Sequence, residues 1–370
     1  MLASRGYTPL VHFYRRPETA GDDFFDVTRL KTALSKALVP FYPLAGRLRA
    51  GADGRLEIDC NGKGTLFLMA HSRLTMDDFS DFKPSTKQRR LFVPHVTFLK
   101  CGGVVLGSAI HHAAMDGSVV FHFFRTWSAF SRDGDRAMVN LHCHDRSRLC
   151  ARDPPVVHPD ALSIFSPKIN LPPQPGPVIN EVLVFTLAKD QLSTLKRISG
   201  GDGVSTFSAV SAHLWQCMLR HNLYGYFGNA IINLSVGDKA HAIASRELSY
   251  IARQIRDTHK RVNDELVHSA IDYLELAKRD DERPATGNLP VTDIRVVSWL
   301  GMPSYDADFS WGRPFAMFRA EPNRGGFVHL IDSAQGDGSV RIIMSIEVAI
   351  LSEFKRLLYA KFDTMLYSKF

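Results

Sequence analysis

Residues 108–117 read SAIHHAAMDG: Ser108, Ala109 and Ile110, the pair His111 and His112, then a short turn that ends in Met115, Asp116 and Gly117. Upstream, Val104 to Ile110 is an apolar run that reads as a strand. Alternation with period two puts Val104, Leu106, Ser108, Ile110 and His112 on one face and turns His111 to the other. Downstream, Val120, Phe123, Trp127 and Phe130 recur at helical spacing. The order is therefore strand, compact turn, helix, with Gly117 permitting tight geometry before the helix. If the shared face is the buried one, His112 ends a core strand facing an interior space. Its imidazole, with an ordinary pKa of about 6.5, suits proton removal at neutral pH.

Working outward, Val96 to Leu99 reads as a partner strand across the turn Cys101-Gly102-Gly103. Val27 to Leu38 places Leu30, Ala33, Leu34, Ala37 and Leu38 on one helical face behind Asp26, a cap candidate, and Pro40 and Pro43 break that helix. Leu56 and Ile58 alternate with charged neighbours before Asn61-Gly62, which predicts a hairpin there. Residues 151–180 hold eight prolines, a density that sustains neither helix nor sheet interior. They are expected to form a crossover between an N-terminal domain, 1–150, and a C-terminal domain, 181–370. In the latter, VLVFTL reads as a strand, Ser205 to Arg220 and most of Glu247 to Leu276 as helix, VVSWLGMP as strand and turn, and Val340 to Ile350 as strand before a terminal helix. Mixed strands and helices in both halves predict an α/β or α+β chain of layered domains.

The chain has 370 residues, 45% hydrophobic and 22% charged, which excludes disordered and fibrous classes. No apolar run approaches the roughly 18 residues that span a bilayer, and Met1 to Leu10 lack a secretory apolar core. A cytoplasmic chain without a membrane span is expected, with a transit peptide around Arg5 as a weaker reading. The net charge is +7. Nucleic-acid binding would need a basic stripe interleaved with aromatics, whereas Lys87-Gln88-Arg89-Arg90 stands alone and reads as a solvated face. A polyanionic small ligand suits the charge equally well. The five cysteines form no C-x-x-C pair. Cys143 and Cys150, near His142, His144 and Asp145, lie in a connecting loop without zinc spacing, so no metal is expected.

Taken alone, His112 has bland readings too. Adjacent histidines at a strand end are often structural, a metal reading with Asp116 lacks a third ligand, and Ser108 has no G-x-S-x-G elbow. Asp116 could hold the turn by accepting a backbone or arginine hydrogen bond. Far downstream, SWLGMPSYDADFSWGRP reads as a strand and a surface turn pinned by Trp311. The single N–H of Trp311 could instead point at a developing oxyanion.

HHAAMDG (111–117) together with DFSWGRP (308–314) resembles the HHxxxDG and DFGWG signatures of the plant BAHD acyltransferases. The stretches FYPLAGR, LKCGGVVLGSAIHH, YFGNAI, SAIDYLEL and SWLGMPSYDADF are similar to that family as well, above all to its hydroxycinnamoyl-CoA branch. The likeness runs from about Phe13 to the C-terminus. It implies two chloramphenicol-acetyltransferase-like α/β domains with mixed sheets and an interdomain channel, CoA entering from one face and the acceptor from the other. It further implies a monomeric enzyme of plant phenylpropanoid secondary metabolism that moves an acyl group, of hydroxycinnamoyl type, from CoA to a small alcohol or amine. Acyl-CoA is then a co-substrate, with no permanently bound cofactor, no metal and no nucleic-acid partner. His112 is the implied general base. Asp308 and Trp311 join it as site candidates, although their motif chiefly supports the fold, and Asp116, Gly117 and Gly312 are supporting. Asp116 is implied to turn away and pair with an arginine.

Several positions depart from the family pattern. Ser310 replaces the middle glycine of DFGWG. Val297 stands where users of shikimate and quinate carry a threonine. The arginine that clamps the acceptor carboxylate in those members has no clean match, Arg283 and Arg295 being the nearest. These departures favour a neutral alcohol or an amine over shikimate. The joins at Arg90 to Pro94 and at His221 to Tyr224 skip segments that relatives carry. Two rival readings follow: a truncated or inactive member that at most binds CoA, and a peptide-condensing domain, for which the chain has no carrier module.

Overall fold

Val104 to His111 is apolar at nearly every position, the pattern of a strand buried on both faces. In the computed structural model of the chain it is the middle strand of a sheet. The structure describes residues 7–52, 56–78, 92–112, 114–139, 150–161, 180–219, 236, 240–279, 294–319 and 326–363. In chain order the elements begin β1 (Tyr7–Tyr14), α1 (Val27–Ala37), β2 (Arg47–Ala50), β3 (Leu56–Asp59), β4 (Leu68–Ser72), β5 (Phe92–Leu99), β6 (Val104–His111) and α2 (Gly117–Asp133). They continue β7 (Asn180–Leu187), α3 (Lys189–Ile198), α4 (Thr206–Leu219), α5 (Ala240–Ser245), α6 (Leu248–Lys260), α7 (Asp264–Arg279), β8 (Arg295–Ser298), β9 (Ala316–Arg319), β10 (Phe327–Asp332), β11 (Val340–Glu347) and α8 (Leu351–Asp363). The Lys87–Arg90 cluster, the residues around Cys143, Arg283, and the His221 to Tyr224 join lie outside the described residues.

The chain divides into two units, one of Ala3–His144 with Gly301–Pro322, the other of Asp145–Leu300 with Asn323–Phe370. This differs from the expectation that 181–370 forms one domain carrying the second motif. The reason is a strand pairing. β9 hydrogen-bonds antiparallel to β1, with Leu10 opposite Arg319 and His12 opposite Met317, so the motif just before β9 groups with the first unit.

The first unit holds a mixed sheet in the order β4-β5-β6-β1-β9. β4 runs parallel to β5, and the other pairs are antiparallel. On one face Phe92 and His12 meet the aromatic stripe of α2: Phe92 contacts Phe123, Phe124 and Trp127, and His12 contacts Phe124. Trp127 donates its indole N–H to the Leu30 carbonyl at 2.9 Å, tying α2 to α1. The opposite face is a smaller cluster of Val11, Phe13, Leu99, Val105 and Ala316. Asp26 caps α1 as its sequence signalled, accepting from the Arg29 amide at 2.6 Å. The hairpin expected across Asn61-Gly62 is not the one formed. β3 pairs back onto β2, and the segment after the glycine becomes β4, parallel to β5; Leu56 stays exposed, so no apolar face drives a second pairing there.

The second unit has a four-stranded sheet, β7-β11-β10-β8, with β8 parallel to β10. Its core packs Phe185, Leu330, Ile342 and Met344 of the sheet against Leu195, Trp215, Ile251 and Phe354 of the helices. The start of the proline-rich stretch is anchored to α7 by ionic bonds. Asp272, fully buried, accepts from the Arg152 amide at 2.8 Å, the Arg152 guanidinium at 2.5 Å and the Val156 amide at 2.9 Å. The same guanidinium reaches both Glu265 oxygens at 3.0 Å. These donors hold the Asp272 carboxyl below its ordinary range, overcoming the opposing effect of burial, which is the largest single influence.

Candidate active site

β6 ends at His111, opposite Tyr7 of β1, and the His111 ring meets the Tyr7 ring edge-on at 5.2 Å. His112 is the next residue, so the alternation returns it to the face shared by Ser108, Ile110 and, across the sheet, His12. It is half-buried. Its Nδ1 is sealed from solvent and has no hydrogen-bond partner among the described residues. Burial pushes the His112 pKa down from 6.5. Its own main chain opposes that shift, the Arg319 charge adds to it, and the Asp116 charge opposes it. The imidazole is thus held neutral near pH 7, the state a base requires.

Asp116 is the N-cap of α2, its carboxylate accepting from the Val119 amide at 3.1 Å. This is the backbone alternative of the two that the sequence left open. No arginine bonds to it among the described residues. Gly117 is the first residue of α2. The compact turn and the cap therefore set where His112 sits relative to the helix.

The second motif lies elsewhere. The Ser131 hydroxyl donates to the Phe309 carbonyl at 3.3 Å, and the Arg132 guanidinium donates to the Asp308 carbonyl at 3.0 Å. Both contacts are at the last turn of α2, whereas His112 precedes its first. The 17 residues of α2 span roughly 24 Å at about 1.5 Å per residue. The sheet gives the same answer: Tyr14, which donates to the Ala307 carbonyl at 2.8 Å, sits at the far end of β1 from Tyr7. The structure therefore does not gather Asp308 and Trp311 with His112 as catalytic groups.

What they do is hold a turn. The Asp308 carboxylate accepts from the Ser310 amide at 2.9 Å and the Gly312 amide at 3.1 Å. Ser310 and Gly312 both take positive φ, 80° and 96°, so the serine that replaces the family glycine occupies a glycine conformation. Its hydroxyl donates to the Phe309 carbonyl at 2.6 Å and accepts from Arg29. The Trp311 ring stacks on Phe25, 5.0 Å between centroids, with the Arg29 guanidinium 5.0 Å from the ring centroid. Its indole N–H is buried and meets no acceptor among the described residues.

Two polar side chains on the sheet face that leads to His112 were not singled out in the sequence. His12 is fully buried, and burial lowers its pKa to about 4. Arg319 ends β9 on the row of Leu10 and Ser108. Nothing local marks either residue; only strand pairing brings them to this face. In the second unit Val297 is half-buried on β8, opposite His329, and the Arg295 guanidinium lies 5.1 Å from the Phe327 ring centroid. No group of three metal-binding side chains occurs among the described residues, and no helix there is long and apolar enough to cross a membrane.

The sequence profile of the Transferase family matches residues 1–224 and 222–360. Putrescine hydroxycinnamoyltransferase 1 of Oryza sativa subsp. japonica is 36% identical over 97% of this chain and 93% of its own length. Shikimate O-hydroxycinnamoyltransferase of Nicotiana tabacum is 35% identical over 95% and 92%. The first of these alignments runs over 416 positions against 370 residues here, so internal stretches of that relative have no counterpart in this chain. Among solved structures, F. graminearum TRI101 complexed with coenzyme A and deoxynivalenol superposes with a TM-score of 0.75 at 16% identity, covering 95% of this chain and 94% of that one. Mixed sheets, the strand–turn–helix with His112, and relatives matched over nearly their whole length converge: the chain is an acyltransferase and belongs to the BAHD family.

Proposed function

We propose that the protein transfers a hydroxycinnamoyl group from its CoA thioester to a small alcohol or amine, with His112 as general base. The observation that carries this is the state of the imidazole. It stands at the end of a core strand, its pKa lowered by burial so that the neutral form prevails near pH 7, with Nδ1 buried and without a hydrogen-bond partner among the described residues. On this reading the acceptor's oxygen or nitrogen attacks the thioester carbonyl while Nε2 takes its proton. The tetrahedral intermediate then collapses, the C–S bond breaks, and the imidazolium returns the proton to the leaving thiolate. Acyl-CoA is consumed as co-substrate and no acyl-enzyme forms. The relatives' names support the acyl group, since both are hydroxycinnamoyltransferases. The rival reading of an inactive, CoA-binding member is not favoured: β6, which presents His112, is paired on both sides, and its cap and turn are intact.

The test is turnover of p-coumaroyl-CoA, followed by release of CoA thiol in the presence of an acceptor mixture. His112→Ala should lower the rate by about 10²–10⁴, the usual worth of a positioned base, with CoA binding retained. His111→Ala, which removes a ring packed on Tyr7 from the other face, should cost stability more than rate. An active His112→Ala beside a dead His111→Ala would overturn the assignment.

A further inference from the structure

Ser310 stands where the family has glycine, and its φ of 80° is a conformation that a side chain enters only under strain. The residue is exposed. Its hydroxyl accepts from the Arg29 guanidinium, which is itself already fixed: Nε donates to the Ser131 carbonyl at 2.7 Å, and the group lies 5.0 Å from the Trp311 ring centroid. Arg132 donates to the carbonyl of Asp308, and Arg125 and Arg313 stand 3.8 and 3.6 Å from Asp306. The carboxylates that face these arginines are engaged. Asp306 is shared by two of them, Asp133 lies 3.1 Å from Arg132, and Asp308 accepts the Ser310 and Gly312 amides inside the turn. Among the described residues no carboxylate pairs with Arg29. An exposed hydroxyl in a strained seat is thus set against an arginine whose charge has no counter-ion.

We propose that Ser310 is a phosphorylation site and that Arg29 receives the phosphate. A protein kinase transfers the γ-phosphoryl group of ATP to Oγ; the hydroxyl proton passes to the kinase's base, and ADP leaves. A phosphoserine carries about −1.5 to −2 charges near pH 7 and three acceptor oxygens, and the planar guanidinium fork suits such a group. The modification gives up the bond from Oγ to the Phe309 carbonyl and sets phosphate oxygens on Arg29. That clamps the turn to α1 and, through the Ser131 carbonyl, to the last turn of α2. Asp308 opposes by repulsion, but its carboxylate is turned onto the two amides, whereas Oγ is on Arg29. The phosphate therefore stabilises the first unit. His112 lies before the other end of α2, so turnover per folded molecule is unchanged. The modification sets how long the protein lasts, not how fast it works, whichever acyl group and acceptor it uses.

The full chain is made with phosphoserine at position 310 by nonsense suppression, in the wild-type background and with Arg29→Gln, beside the two unmodified proteins. The phosphorylated wild type should melt about 2–4 °C above the unmodified protein, and the gain should vanish with Arg29→Gln. A phosphate that lowers the melting temperature or leaves it unchanged overturns the proposal, as does a gain that survives Arg29→Gln. If Arg29→Gln fails to fold, ³¹P titration of the phosphorylated wild type decides instead. The Arg29 charge should hold the second ionisation of the phosphate below that of a phosphorylated peptide of residues 306–314, and equal midpoints overturn the pairing. Occurrence is read by incubating the wild type and Ser310→Gly with ATP and an extract of the source tissue, then mapping phosphopeptides. Phosphate on the peptide carrying Ser310, absent from Ser310→Gly, is expected; a wild-type peptide without phosphate at Ser310 overturns the site.

Discussion

Replacing Trp311 by phenylalanine separates two roles that its position in the second motif leaves open. If its indole N–H donated to the oxyanion, losing that donor would cost about 2.7–4 kcal/mol of transition-state stabilisation, or roughly 10²–10³ in kcat. The structure argues otherwise. The N–H is buried with no acceptor, the ring packs on Phe25 and under Arg29, and its neighbours Asp308 and Phe309 bond the far end of α2 from His112. Phenylalanine keeps the stacking face and removes an unsatisfied donor, so Trp311→Phe should change stability by less than about 1.5 kcal/mol, as shape-conserving core swaps do, and kcat by less than about threefold. Trp311→Ala removes the packing itself and should cost about 3–5 kcal/mol. At roughly 2–4 °C per kcal/mol for a unit of this size, its melting temperature should fall by about 10 °C, while the folded fraction keeps its kcat. Thermal melts and steady-state kinetics on both variants suffice. A Trp311→Phe protein with an unchanged melt and a hundredfold lower kcat would refute the placement.

Asp272→Ala should destabilise the second unit by about 3 kcal/mol in urea unfolding, because it orphans two amides and a guanidinium around a buried site; Glu265→Gln, at the exposed side of the same arginine, should cost less than about 1 kcal/mol, and equal costs would contradict the assignment. Because the Asp272 pKa is lowered in the folded chain, its stabilisation is complete above the unfolded carboxyl pKa and is lost as pH falls through the folded value. His12 gives acid sensitivity at higher pH. Its folded pKa of about 4 lies below the unfolded 6.5, so the unfolded chain binds the proton first, and stability should fall by about 3 kcal/mol between pH 6.5 and 4. His12→Phe should flatten that window, and an unaltered pH–stability curve would show that another group governs it.

Local chemistry was legible in the sequence wherever neighbours in the chain decide the structure. The α1 stripe of Leu30, Ala33, Leu34 and Ala37 with its Asp26 cap, the β5–β6 hairpin about Gly102, and the strand–turn–helix that presents His112 all depend on periodicity and turn residues within a few positions. So did Asp116, whose side chain satisfies an amide three residues on. Long-range pairing was not legible. The hairpin expected at Asn61-Gly62 formed across the preceding loop instead, because strand partners are chosen by which face finds cover, not by the turn alone. The second motif offered Asp308 and Trp311 as site candidates while reading chiefly as a support of the fold, and its place, bonded to the opposite end of α2 from His112, came only from the tertiary structure. Nothing in the sequence marked Arg319, yet hydrogen bonding of β9 to β1 sets it on the row of Leu10 and Ser108, the face that leads to His112. The sequence by itself determined most of the elements, the family and the candidate for the base, His112. Only the tertiary structure decided which charges act on that base, because strand register, and not distance along the chain, fixes which side chains share a face.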